Sequence, residues 1–539
     1  MLIEISTSLI TFDEGYPWLR AGRRDGFDLV CVLSMIMGIM FTWPSSTLEL
    51  FKSNETVLSH IMGPGEVALF GSLSSIGALV GTPLAGYLLD KIGRKRSSML
   101  GGIPFLLAWS MIAAFDRVEV ILAATFIAGI GGSTFVTSPV YISEICQDSI
   151  RGSVTAGSVI FYNLGVLLSY ILGGYLSYYV MVYIQVTLAA SYILFVGLLK
   201  DSPVYLMRKG REEEAAKSIA FYRNIKPDSK EVLEELYNIK RVLNLECLGN
   251  PEVKSLQPAT VKPPPEKDIS PWRYLSKRAL FVCLTLVTAS TLMGMIVVQV
   301  YADPLFKEAA PSIPSTLCTI IVAVVTMVAG LTAAALADRS GRRLRRYRVG
   351  DSGRSARSLH QRPTFKQVRL LVVVHTKTEI AVSARGLKRE VISYKNLMLY
   401  SSGGSAVVTL LLGTQLELEW GPHSLTAILI YIFCFIYSIG AGTIPYIVVC
   451  EVFVPELKSF CTMIILEWAW VCSFIILLVF YPLVDTLGLG PVFYIFSIIC
   501  LGTAIFCYFF QPETKGLPVD VIQNLFTKRQ KLNNRIIAY

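Results

Sequence analysis

The chain is short of charge. Of its 539 residues only 16% are Asp, Glu, Lys or Arg, against about 25% in an ordinary soluble domain. That deficit excludes a solvated globular surface over most of the sequence. Histidine is scarce, with four in the chain, and the eleven cysteines are scattered without paired spacing. Neither a disulfide framework nor a metal site is expected from them. No Gly-rich phosphate loop and no nucleophile set beside a base stands in the sequence, so neither enzyme chemistry nor a cofactor is expected. Positive charge is also missing from every second loop, where Lys52, Arg117 and Lys307 stand alone.

What is present is apolar sequence in long runs. Hydrophobic residues make up 53% of the chain, and about 20 of them in a row cross a bilayer as a helix. Such runs occupy approximately 28–48, 67–89, 98–115, 119–141, 154–176, 180–199, 278–300, 314–336, 397–414, 424–449, 459–482 and 490–510. Gly and Pro recur inside them, as membrane helices tolerate. The expected fold is an all-α membrane protein with twelve transmembrane helices in two six-helix halves.

The net charge of +10 follows topology and does not point to nucleic acid. Lys and Arg gather in the N-terminus (Arg20, Arg23, Arg24), the 90–97 turn, 207–278, 339–395 and the tail (Lys528, Arg529, Lys531, Arg535). Positive residues stay on the cytoplasmic side, so both termini are expected in the cytosol; separately, the plasma membrane is the expected location and a monomer the expected state. The sequon Asn54-Glu55-Thr56 then falls in the first outward loop, where glycosylation is chemically open. The first 27 residues are too polar for a cleavable signal peptide, and span 1 itself would direct insertion.

The expected organisation is a cytosolic N-terminus (1–27), a first bundle (28–206), a linker (207–277), a second bundle (278–511) and a cytosolic tail (512–539). Within the linker, Arg211–Arg223 and Ser229–Leu243 have charged helical periodicity, and Pro263-Pro264-Pro265 ends the stretch. The linker reads equally as a spacer or as part of a gate.

The halves repeat. Asp90-x-x-Gly93-Arg94-Lys95 returns as Asp338-x-x-Gly341-Arg342-Arg343. Glu144 precedes Arg151 as Glu451 precedes Lys458, and Asp201-Ser202-Pro203 closes span 6 as Pro512-Glu513-Thr514-Lys515-Gly516 closes span 12. Repeated halves around a central site are a common carrier design. Between Arg343 and Glu451 the second half is about 50 residues longer than the first. The basic segment 344–395 accounts for the excess. It reads as a cytosolic regulatory loop able to touch anionic lipid headgroups, or as a tolerated insertion, including one that arises from untranslated sequence read through.

These strings, with Pro139-x-Tyr141-x-x-Glu144 and Gly440-x-Gly442-x-x-Pro445-Tyr446, resemble the sugar-porter branch of the major facilitator superfamily, and within it the insect facilitated trehalose transporters, which Asn163-x-Gly165 resembles specifically. The resemblance implies the major facilitator fold with a cytosolic helical linker and a small-molecule sugar as substrate. Asp90, Arg94, Glu144, Arg151, Asp338, Arg342, Glu451, Lys458 and Glu513 are the candidate gate. Such charges at span ends can pair across the halves, and breaking the pairs gives a two-state element. The chain departs from the family's arginines at Thr125, Val204 and Lys458, which removes bidentate forks.

A sugar site needs hydroxyl-binding groups and an aromatic face. Where the family carries span-lining amides, this chain has Val159, Ser290, Thr291, Ile296, Thr326 and Ala469, and only Trp470 is kept. The candidate substrate residues are Asn163, Gln299, Ser290, Thr291, Thr326, Tyr446 and Trp470, with Gln185 and Tyr301 as further polar groups in the spans. Each Ser or Thr can instead bond back to its own helix. Asn163 and Gln299 are expensive to leave unpaired in hydrocarbon and are expected to face a cavity. Glu467 lies near mid-membrane, where a charge costs roughly 2.5–3.5 kcal/mol on insertion scales, and it is the candidate proton site. No acid stands at mid-depth in span 1, where the resemblance implies one for proton-coupled porters. Facilitated diffusion by alternating access is the expected mechanism. A proton-coupled symporter using Glu467 and a non-transporting sensor are the alternatives.

Overall fold

The computed structural model describes residues 22–146, 151–247, 277–333, 393–453, 455–514 and Ile522. Asp338, Arg342 and residues 344–392 of the basic segment lie outside the described residues, as do the side chains of Arg151 and Lys458.

The described residues form helices and connecting turns. The first half comprises span 1 (Gly22–Lys52), span 2 (Pro64–Ile92), span 3 (Arg94–Ala114), span 4, span 5 (Arg151–Tyr175) and span 6 (Tyr178–Leu198). The second comprises span 7, span 8 (Ser315–Ala333), span 9 (Tyr394–Leu418), span 10, span 11 (Pro455–Leu487) and span 12 (Leu489–Phe510).

Three spans are broken, each at glycine. Span 4 runs Val118–Ile130, tightens to a 3₁₀ turn at Gly131–Ser133, and resumes as Thr134–Ile145. Span 7 runs Lys277–Leu292 and Met295–Val300 around Gly294, whose φ of 97° is left-handed, the region glycine occupies without strain. Span 10 runs His423–Ile439 and Ile444–Val452 across the Gly440–Thr443 turn. Hydrophobic runs register only that a span exists, so these interruptions were absent from the sequence reading.

Small residues set how closely the spans approach. A Cβ on Gly38 or Gly165 would strike the backbone of Tyr162 or Met35, so spans 1 and 5 cross backbone against backbone. Gly77, Gly81 and Gly129 do the same for spans 2 and 4. With no hydrophobic drive between helices in lipid, such close packing supplies much of the association. Around this framework Trp43, Phe51, Phe70 and Trp109 form a buried aromatic cluster, with the Trp43 ring 5.1–6.0 Å from the other three centroids.

At the basic end, helices Pro203–Arg208, Glu212–Arg223 and Lys230–Cys247 follow span 6. They dock on the first half. Ser218 Oγ donates to Asp201 O at 2.6 Å, and the hydroxyls of Tyr141 and Tyr222 both donate to Lys200 O, at 2.5 and 2.6 Å. Arg223 donates to Ile145 O at 2.9 Å and to both Glu235 oxygens at 3.1 and 2.6 Å. The described linker is therefore fixed to spans 4 and 6 rather than strung loosely between the halves.

Candidate functional site

The basic end of each half carries a carboxylate that caps a span. Span 2 ends at Gly93, whose φ of 95° turns the chain tightly into span 3. The first amides of span 3, on Arg94 and Lys95, have no partner within the helix, and both donate to Asp201 Oδ1, at 3.0 and 3.2 Å. Any side chain at Gly93 would meet that carboxylate and the Tyr205 ring, 2.7 Å from the built Cβ. The Arg94 guanidinium, 4% exposed, pairs with Glu144 at 2.7 Å and donates to Leu89 O at 3.0 Å. Asp90 lies farther off at 3.7 Å and is mostly exposed. Ser202 Oγ donates to the other Glu144 oxygen.

The second half repeats this geometry. Glu513 accepts from the amides of Tyr394 and Lys395 at 3.2 and 3.3 Å and from Ser393 Oγ. Thr514 Oγ1 donates to Glu451 at 3.1 Å, as Ser202 does to Glu144. Ser393, Tyr394 and Lys395 therefore stand where Gly93, Arg94 and Lys95 stand in the first half. That corrects the boundary at residue 395: the segment's last three residues cap and begin span 9. The repeat of sequence, Gly341-Arg342-Arg343, and the repeat of geometry, Ser393-Tyr394-Lys395, are different residues.

Charge pairing across the halves was the expectation for these groups. In this conformation the described bonds of Arg94, Glu144 and Asp201 close within the first half, and those of Glu513 and Thr514 within the second.

The halves join at the opposite end. Tyr170 OH on span 5 donates to Gln299 O at 2.7 Å, and Asp303 N donates to Ser45 Oγ on span 1 at 2.9 Å. Lys307 lies 3.8 Å from Glu49, and Lys52 sits 5.3 Å over the Tyr481 ring. Gly71 on span 2 admits the Tyr301 phenol so closely that a Cβ there would overlap it. Tyr301 is held from behind by Phe480, stacked at 5.4 Å, and by Tyr481, edge-on at 4.8 Å. Asn54 is exposed on the loop at this same end.

Between the two ends lie the candidate substrate residues. Tyr446 is 40% exposed and lies close enough to Tyr162 of the other half for the two to interact electrostatically. Trp470 faces Phe41 of span 1 at 6.3 Å, also across the halves. Gln299 is half-buried and its side-chain amide has no partner among the described residues. Asn163 donates to Val159 O at 2.8 Å, which leaves its carbonyl oxygen available.

The short hydroxyls are used locally. Thr291 and Thr326 bond back to Val287 O and Ala323 O at 2.9 and 3.0 Å. Ser290 donates to Ala441 O at 2.7 Å and Tyr437 OH donates to Ser290 O at 3.0 Å, so Ser290 staples the break in span 7 to the break in span 10. Gln185 is buried within the first half, with neither amide atom bonded. Glu467 is half-buried on span 11, with Oε1 buried and unpartnered. Tyr162 and Tyr437 went unnamed in the sequence reading, because nothing local marks a tyrosine as reaching another span.

Two helical bundles closed on each other at one end, each with its own capped network at the other, define a membrane carrier of the two-bundle kind. The sequence profile of the sugar (and other) transporter family matches residues 30–345 and 372–526. The chain belongs to that family. The gap in the match falls inside the basic segment. The facilitated trehalose transporter Tret1 of Polypedilum vanderplanki is 25% identical over 491 residues, 91% of this chain and 85% of the relative. Tret1 of Bombyx mori is 25% identical over 475 residues, 86% of this chain and 79% of the relative. The chain spans about half the length of the Drosophila relatives, 50% for Drosophila mojavensis. In fold it is similar to an inward-open structure of the xylose transporter XylE from E. coli, with a TM-score of 0.67 and 16% identity over 93% of this chain and 98% of the other.

Proposed function

We propose that the chain carries a sugar, of the trehalose or glucose kind, across the plasma membrane by facilitated diffusion. The basic end is cytosolic in this reading, with both termini there. The protein works as a monomer, and Asn54 on the outward loop accepts a glycan. Alternating access supplies the mechanism: one half rocks against the other around a central site.

The observation that carries this reading is the unequal closure of the two ends. Ser45–Asp303, Tyr170–Gln299 and Tyr301 against Gly71 hold the outer ends together. Among the described residues, Glu144 bonds to Arg94 and Ser202 of its own half, and Glu513 accepts the Tyr394 and Lys395 amides of its own. That arrangement belongs to the inward-facing state. In the outward-facing state Asp90, Glu144, Arg151 and Asp338, Arg342, Glu451, Lys458 would approach across the halves, while Asp201, on the amide of Arg94, and Glu513 hold the caps. The substrate contacts proposed are Tyr446 and Trp470 as apolar faces and Asn163 and Gln299 as hydrogen-bonding groups, with Ser290, Thr291 and Thr326 shaping the backbone around them.

Saturable uptake of radiolabelled trehalose or glucose into vesicles holding the purified chain tests the proposal. Vesicles that take up neither sugar faster than protein-free ones would overturn it and leave the sensor reading.

A further inference from the structure

A cavity of about 550 Å³ opens at the basic end, outside the pathway, between the start of span 3, the end of span 6 and the helices that follow it. Its charge is one-sided. Lys95, Arg96, Lys200, Arg211 and Lys217 line it, against Asp201 and Glu214.

Both carboxylates are already committed. Asp201 accepts the amides of Arg94, Lys95 and Ser202, and Glu214 holds Arg211 at 2.6 and 2.7 Å. Lys217 is paired with Glu213 at 2.7 Å. Lys95, Arg96 and Lys200 are left without an ion pair among the described residues. Burial desolvates the Lys95 ammonium, and Lys200 and Arg96 add like charge beside it, which Asp201 opposes. Like charges gathered round a void are costly unless an anion enters it. Arg and Lys together bind phosphate through charge-assisted hydrogen bonds.

The cavity has an apolar side too. Met99, Leu199 and Leu206 line it, and Gly197 presents no side chain, so that a built Cβ there would meet only Met99 Cε at 3.7 Å.

We propose that this cavity binds a phosphate-bearing anion, held by Lys95, Arg96 and Lys200. The orientation, and so the leaflet that supplies it, rests on the function proposed above. Phosphate chemistry has two sources there: the headgroup of an anionic phospholipid of the inner leaflet, or a soluble phosphate compound. Occupancy would tie span 3 to the docked linker, one bond away from the Asp201 cap.

The test uses the full chain in nanodiscs of phosphatidylcholine alone, or with phosphatidylinositol bisphosphate added, and titrates ATP into the phosphatidylcholine discs. Thermal unfolding is followed, and native mass spectrometry counts bound phospholipid. A rise in midpoint with the anionic lipid, weakened by salt and lost in Arg96→Gln/Lys200→Gln, supports the lipid source. The same pattern with ATP supports the soluble one. Neither probe shifting the wild type, or the double variant responding as the wild type does, overturns the proposal. Should that variant fail to fold, Arg96→Lys/Lys200→Arg must retain the bound lipid in the mass spectrum, and its loss counts against the site. The readout is binding, so it fails or succeeds independently of sugar uptake.

Discussion

Asp201 and Glu513 do the same work in the two halves: each closes its half by accepting the first two amides of a span, those of Arg94 and Lys95 or of Tyr394 and Lys395. The equivalence shows what the long segment before span 9 has done. In the first half the capped turn also delivers a guanidinium to Glu144. In the second half the capped turn starts from Ser393 and delivers Tyr394 instead. The two networks are built on one plan with different chemistry.

The caps are separable from the ion pair. A carboxylate at a helix N-terminus satisfies orphan amides and opposes the helix dipole, and removing a capping side chain costs about 1 kcal/mol. Asp201→Ala and Glu513→Ala should each lower the thermal midpoint in detergent by a similar amount. The described partners of the two sites are different residues, so the double variant should show the sum. A double variant no worse than either single would mean that the two carboxylates form one network.

Arg94 should be the most sensitive position at this end. Its removal strands Glu144 partly buried, with Ser202 as its described partner, and breaking a buried pair costs about 3–5 kcal/mol. Arg94→Ala should therefore unfold far more readily than Asp201→Ala. Glu144→Gln, which keeps one accepting oxygen for Arg94 and drops the charge, should fall between them. Thermal unfolding of the three proteins side by side gives the order. Equal stability for Arg94→Ala and wild type would show that the pair contributes nothing.

The outer closure depends on one glycine. Gly71 gives Tyr301 its place, and a methyl group there would overlap the phenol. Gly71→Ala should push the outer ends apart and raise the outward-facing population. Spin labels on Ser53 and Lys307 would read this as a longer distance distribution, and Tyr301→Leu in the same protein should restore the short one. An unchanged distribution would mean that spans 2 and 7 slide past one another without opening.

Much of this architecture was legible in the sequence, because a span needs only length and apolarity to show itself. The repeated motifs put Arg94, Glu144, Glu451 and Glu513 at span ends for the same reason: charge gathers between the apolar runs. Other features required the third dimension. Ser290 looks like a free hydroxyl until its bond to Ala441 brings two broken spans together. Tyr141, Tyr222 and Arg223 dock the linker through backbone carbonyls, which sequence does not distinguish. Asp201 was visible as the end of span 6, yet nothing local revealed that it reaches the amides of span 3.

Glu467 separates two mechanisms. Its buried, unpartnered oxygen is compatible with a neutral carboxyl that takes no part in coupling. Facilitated diffusion then predicts that Glu467→Gln keeps uptake, that collapsing the proton gradient changes neither protein, and that the variant is no less stable. Uptake that follows the gradient in the wild type and loses this dependence in Glu467→Gln would establish the proton-coupled alternative.

The segment before span 9 gives the last prediction. Span 9 begins with its own cap, Ser393 Oγ donating to Glu513 and accepting from Asn396 N at 3.3 Å, so the described bonds at its start come from span 9 and Glu513. Deleting 344–392 joins Arg343 directly to Ser393 and leaves every described contact of span 9 in place. The shortened chain should fold and carry sugar at a rate within a few-fold of the full one, measured as uptake per molecule at the cell surface. Variants extended further, to remove Ser393 and Tyr394 as well, should fold poorly, because Glu513 then faces a helix start with a different register. If both deletions behave alike, the cap at Ser393 is not what begins span 9, and Gly341-Arg342-Arg343 can take its place.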